Sequence, residues 1–138
     1  MNSQQTSNKK KQKIKVLLVD DETHIRMIMT NVVNSMNLEV VAEAKNGAEA
    51  IQLYQQHRPH MVFMDINMPI MDGKEALKAI MNEFPKAFVI MVTSLSAMDI
   101  VTECLVIGAS SYIRKDTSMD ELKLYVKESW NDYVKSMK

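Results

Sequence analysis

Five short strand-like runs alternate with five stretches of helical periodicity along this chain, and that alternation limits the possible folds more than any other feature. The runs are Ile14 to Val19, Leu38 to Ala44, Met61 to Met64, Ala87 to Val92 and Ser111 to Ile113. Most are almost wholly apolar, as expected of strands covered on both faces. Between them, apolar residues recur every three or four positions. This predicts helices over about 23–36, between Asn46-Gly47 and Pro59, over about 74–83, over 98–107 and from Ser118 onward. Thr23 is the expected N-cap of the first, and Ser118 with Glu121 forms a capping box at the last. Pro59 and Gly108 are stop signals. Strict strand–helix alternation implies a parallel sheet with helices on both faces, joined by right-handed crossovers.

The chain has 138 residues, a length suited to one domain with a real core. Seventeen basic and seventeen acidic residues balance, but unevenly. The first fifteen residues hold Lys9, Lys10, Lys11, Lys13 and Lys15 and no acid, so the remainder carries twelve basic against seventeen acidic residues, a net of −5. That balance argues against direct nucleic-acid binding. Residues 1–13 read as a disordered basic tail and residues 14–138 as the domain. Cys104 is the only cysteine, so no internal disulfide forms and a reduced, cytoplasmic compartment is expected. No apolar run reaches the length of a membrane span, and the polar N-terminus has no apolar core of a secretory signal.

The third run stops abruptly at Asp65. A carboxylate at the carboxyl end of a buried strand is costly unless something uses it, and in open α/β sheets ligands bind at that end. The first run ends in Asp20 and Asp21, the fourth at Thr93, the fifth at Lys115. The second ends in Ala44-Lys45 and supplies nothing, which suits an edge strand outside the crevice. The implied strand order is 2-1-3-4-5, a flavodoxin-like, doubly wound (βα)5 sheet.

Three carboxylates brought together repel one another, and a hard divalent cation resolves the repulsion. Mg2+ is the expected ion, held by Asp21 and Asp65 directly, by Asp20 partly through water, and by the backbone carbonyl of Asn67. With Lys115 and the Thr93 hydroxyl beside it, the site suits a phosphoryl group. Carboxylate nucleophiles form acyl phosphates, so Asp65 is the candidate acceptor.

These motifs together (VDDE after the first strand, MDINMPIMDG, Thr93-Ser94 and GASSYIRK) resemble the receiver domain of two-component response regulators over about residues 14–135. The resemblance implies that Asp65 is the phosphoacceptor, that Thr93 is the switch hydroxyl and that Tyr112 is the switch aromatic. It implies a phosphoryl donor, either a sensor histidine kinase or a histidine phosphotransfer protein, and a downstream target protein. The chain would be a signalling switch rather than an enzyme, monomeric or dimerising on phosphorylation, of the single-domain chemotaxis type. Its responsive surface would span the fourth helix, the fifth strand and the fifth helix. Asn67 and Leu95, two residues past Asp65 and Thr93, would tune hydrolysis of the acyl phosphate.

The chain departs from the family's usual Lys-Pro after the fifth strand, having Lys115-Asp116. A cis bond before a non-proline residue costs about 2.5–4 kcal/mol, so trans is expected. Lys-Asp resembles receivers that precede helix-turn-helix output domains, which keeps a fragment of a DNA-binding regulator as one alternative and a phosphorelay intermediate as another. The completed last helix favours a free-standing receiver. A phosphotransferase of the haloacid-dehalogenase type would want an aspartate where Asn67 stands.

The fourth helix carries more apolar residues than one buried stripe needs. Ile100, Cys104 and Ile107 are the expected core positions, which leaves Val101 and Leu105 to reach the output face with Tyr112. His24, His57 and His60 lack metal-ligand spacing, and His24 reads as a helix-surface residue. The thirteen methionines suit adaptable core packing, and Cys104 reads as an inert buried thiol.

Overall fold

The computed structural model describes residues 12–94 and 98–137. Five strands are present: β1 (Lys15–Val19), β2 (Glu39–Ala44), β3 (Met61–Met64), β4 (Val89–Thr93) and β5 (Ser111–Arg114). Five helices alternate with them: α1 (Thr23–Ser35), α2 (Gly47–His57), α3 (Gly73–Glu83), α4 (Met98–Ile107) and α5 (Met119–Ser136). The strands form one parallel sheet in the order β2-β1-β3-β4-β5, as the strand-end residues implied.

Alternate side chains of each strand face opposite sides of the sheet, and the core divides accordingly. Leu17, Val19, Val62, Met64, Val89 and Met91 pack against Ala50 and Tyr54 of α2, Leu77 and Ile80 of α3, and Cys104 of α4. Val16, Leu18, Phe63, Ile90 and Val92 pack against Met29, Val32 and Val33 of α1 and Leu122 and Val126 of α5. Both faces of the central strands are therefore covered, which explains why their sequences lack polar alternation. Near the amino ends of the strands, Trp130 of α5 meets Phe88 edge-on at 5.1 Å between ring centroids. It stacks on Tyr133 at 5.3 Å.

Among the described residues, the helix N-caps follow local chemistry with one exception. Asn46, Asp72 and Ser118 each accept a hydrogen bond from the backbone N–H three residues on. Thr23 does not cap α1. It is already helical, and Glu22 holds the cap position without a side-chain hydrogen bond. The reason lies upstream: Asp20 Oδ1 accepts the Glu22 N–H at 2.9 Å, so the strand-end carboxylate organises the start of the helix.

The inward face of α4 also differs from expectation. Val101, expected at the output face, is 3% exposed, whereas Leu105 is 44% and Val106 82% exposed. At about 100° per residue the buried stripe centres between Val101 and Cys104. Leu105 then falls on its margin and Val106 on the opposite side. Ile100 and Ile107 pack at the core's edge as expected. His24 is exposed and Cys104 buried, also as expected. The basic run up to Lys11 lies outside the described residues. Among the described residues, no helix is long and apolar enough to cross a membrane.

Candidate functional site

The parallel ladder runs one residue past three strands, and this fixes the backbone of the site. Asp20 N–H donates to Ala44 O at 3.0 Å, Asp65 N–H to Val19 O at 2.9 Å, and Lys115 N–H to Thr93 O at 3.0 Å. Each of these residues thus stands at a defined height at the carboxyl edge of the sheet. Asp20 is 6%, Asp65 4% and Thr93 0% exposed, while Asp21 is open to solvent.

Lys115 joins the strands. Its Nζ lies 2.8 Å from Asp20 Oδ2 and 3.1 Å from Asp65 Oδ2, so a cation from β5 bridges carboxylates beyond β1 and β3. Glu22 adds a third, looser contact at 3.4 Å. Asp65 Oδ1 accepts the Ile66 N–H at 2.8 Å, which sets the rotation of the carboxylate and leaves Oδ2 toward Lys115. Burial pushes the Asp65 carboxyl above its ordinary range; Lys115 and the Ile66 N–H pull it back, and Asp20 raises it further. For Lys115 burial acts downward, but hydrogen bonds to Asp20 and Asp65 outweigh it and the ammonium is held above its usual range.

One carboxylate oxygen from each of Asp20, Asp21 and Asp65 falls within 4.8 Å of the others. The donors are all oxygen, two of the three are buried, and Lys115 does not balance them by itself. That is the chemistry a hard divalent ion satisfies, and the donor set fits Mg2+. Asn67 is exposed on the loop just beyond Asp65, where its carbonyl can join the set.

The loop after Asp65 returns tightly on itself. Gly73 N–H donates to Ile66 O at 2.8 Å. A Cβ at Gly73 would collide with the Asp65 carbonyl oxygen, so close approach of two backbones requires glycine there. Ile70, at the loop's tip, has φ 70°, a left-handed conformation that β-branched residues rarely adopt. The loop is also tied sideways, Gly47 N–H at the start of α2 donating to Met71 O at 2.8 Å.

The structure brings Asp20, Asp21, Asp65 and Lys115 together and places Thr93 at the end of the neighbouring β4, as the sequence predicted. Tyr112 is half-buried on β5, two residues before Arg114. Arg114 and Asp116 form a two-pronged pair at 3.0 and 2.9 Å around Lys115. No cis peptide bond occurs among the described residues, so Lys115-Asp116 is trans. Leu95 lies outside the described residues. Sequence reasoning missed Glu22 as a partner of Lys115 and the close backbone approach that Gly73 permits. It also passed over Arg26, whose guanidinium donates to the Asp20 carbonyl oxygen at 2.7 Å.

Comparison with known proteins agrees with this geometry. The family model described as response regulator receiver domain matches residues 16–127. The chemotaxis protein CheY of Listeria monocytogenes is 40% identical over 109 residues, covering 79% of this chain and 92% of that protein. The CheY of Bacillus subtilis is 36% identical over 117 residues, covering 85% and 98%. A chain in the crystal structure of the CheX-CheY-BeF3-Mg2+ complex from Borrelia burgdorferi superposes with a TM-score of 0.82. It shares 31% identity and covers 85% of this chain and 89% of its own.

Proposed function

The chain belongs to the response regulator receiver family, and from that premise we propose that it is a stand-alone, chemotaxis-type receiver with Asp65 as its phosphoacceptor. The observation that carries the reading is the Lys115 ammonium held against Asp20 and Asp65 at the edge of a three-carboxylate cluster. The match to two CheY proteins over nearly their whole length supports the chemotaxis-type reading.

Asp65 Oδ2 attacks the phosphorus of a phosphohistidine on a sensor kinase or phosphotransfer protein, or of a small acyl phosphate. A new O–P bond forms, the bond to the donor breaks, and its electron pair leaves with the donor, as an imidazole that takes up a proton or as a carboxylate. The Ile66 N–H keeps the nucleophile's rotation fixed during the exchange. Lys115, already 3.1 Å from Oδ2, is placed to pair with a phosphoryl oxygen carried there. Thr93 is the hydroxyl we assign to a second phosphoryl oxygen. Asp20, Asp21, Asp65 and the Asn67 carbonyl would hold Mg2+, which when bound supplies neutralising charge to the phosphoryl oxygens.

Because Asp65 is itself modified, the chain acts as a switch and not as a catalyst of an external turnover. The acyl phosphate adds charge and hydrogen-bond acceptors that one conformation satisfies better than the other, which shifts the population. The surface we assign to the downstream target contains Tyr112 on β5, Leu105 on α4 and the exposed Tyr125 on α5. Asn67, beside the acceptor, and Leu95 are the positions we assign to control of acyl-phosphate lifetime.

Incubation with Mg2+ and a small acyl phosphate, followed by intact-mass measurement, tests the acceptor. One added phosphoryl group is expected, lost on omission of Mg2+ and in Asp65→Asn. An Asp65→Asn protein modified as fully as the native chain would overturn the reading.

A further inference from the structure

We propose that Arg26 is a positioning residue for the metal site: it holds the Asp20 backbone in the place from which the acidic pair binds the ion. The inference rests on the Asp65–Mg2+ reading above and extends it to a side chain outside the carboxylate cluster.

Arg26 is the fourth residue of α1, and helical side chains lean back toward the helix N-terminus. Its head therefore returns to the strand end that precedes the helix. One guanidinium nitrogen donates to Asp20 O at 2.7 Å, the shortest of the bonds that fix this residue. Nε donates to Glu43 Oε1 of β2 at 2.8 Å. A weaker contact reaches Thr23 Oγ1 at 3.4 Å. One planar fork thus spans β1, β2 and α1, a geometry that a point-charge ammonium does not reproduce.

Two features argue that this is more than a surface ion pair. The Arg26 side chain is only 11% exposed, so it has given up hydration, while its partner Glu43 is 46% exposed and by itself repays little. A cation in the first turn of a helix is also opposed by the helix dipole. What the arrangement achieves is closure of every polar group of Asp20. The Asp20 N–H donates to Ala44 O, Oδ1 accepts from the Glu22 N–H, Oδ2 meets Lys115, and the carbonyl is taken by Arg26. Arg26 touches the peptide and not the carboxylate, so it orients a ligand without neutralising it.

The two possible roles of Arg26 predict opposite signs. If it acted only through its charge, removing a cation beside an acidic cluster would tighten binding of a divalent ion. If it positions Asp20, removal weakens binding, and loss of such outer-sphere support typically costs about 10–100-fold in metal affinity. Mg2+ alone, titrated calorimetrically into the full chain, reads the difference. Arg26→Gln is expected to weaken Mg2+ by about tenfold or more. Arg26→Lys, which keeps the charge and loses the fork, is expected to weaken it comparably and decides the matter where Arg26→Gln does not fold. Equal or tighter binding in a folded Arg26→Gln, or native affinity in Arg26→Lys, overturns the proposal while native binding leaves the Asp65 reading intact. Absence of Mg2+ binding in the native chain overturns both.

Discussion

Asp65 is the residue whose environment works against it. It is buried, that burial pushes its carboxyl up, and Asp20 adds to the rise; Lys115 and the Ile66 N–H offset the two together only in part. A carboxyl raised in the folded state is favoured when protonated. Its contribution to stability is fully present below the unfolded pKa and is lost as pH rises through the folded one. At neutral pH the ionised group therefore costs stability, and Asp65→Asn keeps the acceptor oxygen without the charge. In metal-free buffer that variant should unfold about 1–2 kcal/mol later than the native protein at pH 7. The gap should close as pH falls through the carboxylate range, as denaturation at several pH values would record. A variant no more stable than the native protein at pH 7, or a gap just as large at pH 3, would contradict this account. The identities of Asp20, Asp21, Asp65, Thr93 and Lys115 were legible because each interrupts or ends a strand-like run. Arg26 and Glu22 were not, because their roles depend on where the first turn of α1 points, which no spacing states.

The elements themselves were largely readable, and the failures were of orientation. Strand order followed from which strand ends carry functional groups, since only β2 carries none. The cap of α1 was misread because the helix begins one residue earlier than Thr23 implied: Glu22 stands at the cap position, its N–H held by Asp20 Oδ1. The face of α4 was misread because apolar residues surround much of that helix, so periodicity alone cannot say that Val101 is inside and Val106 outside. Gly73 shows a further limit, since its need for glycine comes from the backbone of another segment. Gly73→Ala forces α3 away from the Asp65 carbonyl. It should cost about 2 kcal/mol or more, well above the usual effect of adding a methyl group to a helix start. Chemical denaturation measures the cost, and a loss below about 0.5 kcal/mol would mean that the loop relaxes freely. Phosphorylation of the same variant should slow as well, because the displaced backbone carries Asp65.

At the scale of the whole molecule, the site is a seam that closes three strand ends, and a ligand there acts on global stability. An ion that binds only the folded chain stabilises it by about 2.7 kcal/mol at one hundred times its dissociation constant. Mg2+ should accordingly raise the thermal midpoint of the native protein, and much less so that of Asp21→Asn, which leaves the buried pair with Lys115 untouched. Equal rises in both would place the ion elsewhere. The aromatic cluster at the opposite end has a practical consequence. Trp130 is the chain's one tryptophan, and it is packed against Phe88 and Tyr133. It lines the same groove as Met61, the first residue of β3, whereas Asp65 follows the last, about 13 Å away along the strand. The protein therefore carries a single tryptophan that watches whether α5 is seated on the sheet and is blind to the chemistry at the far rim. Its emission should redden sharply on unfolding and barely respond to Mg2+, so a spectral change on phosphorylation would be a direct optical sign that the signal has travelled down α5.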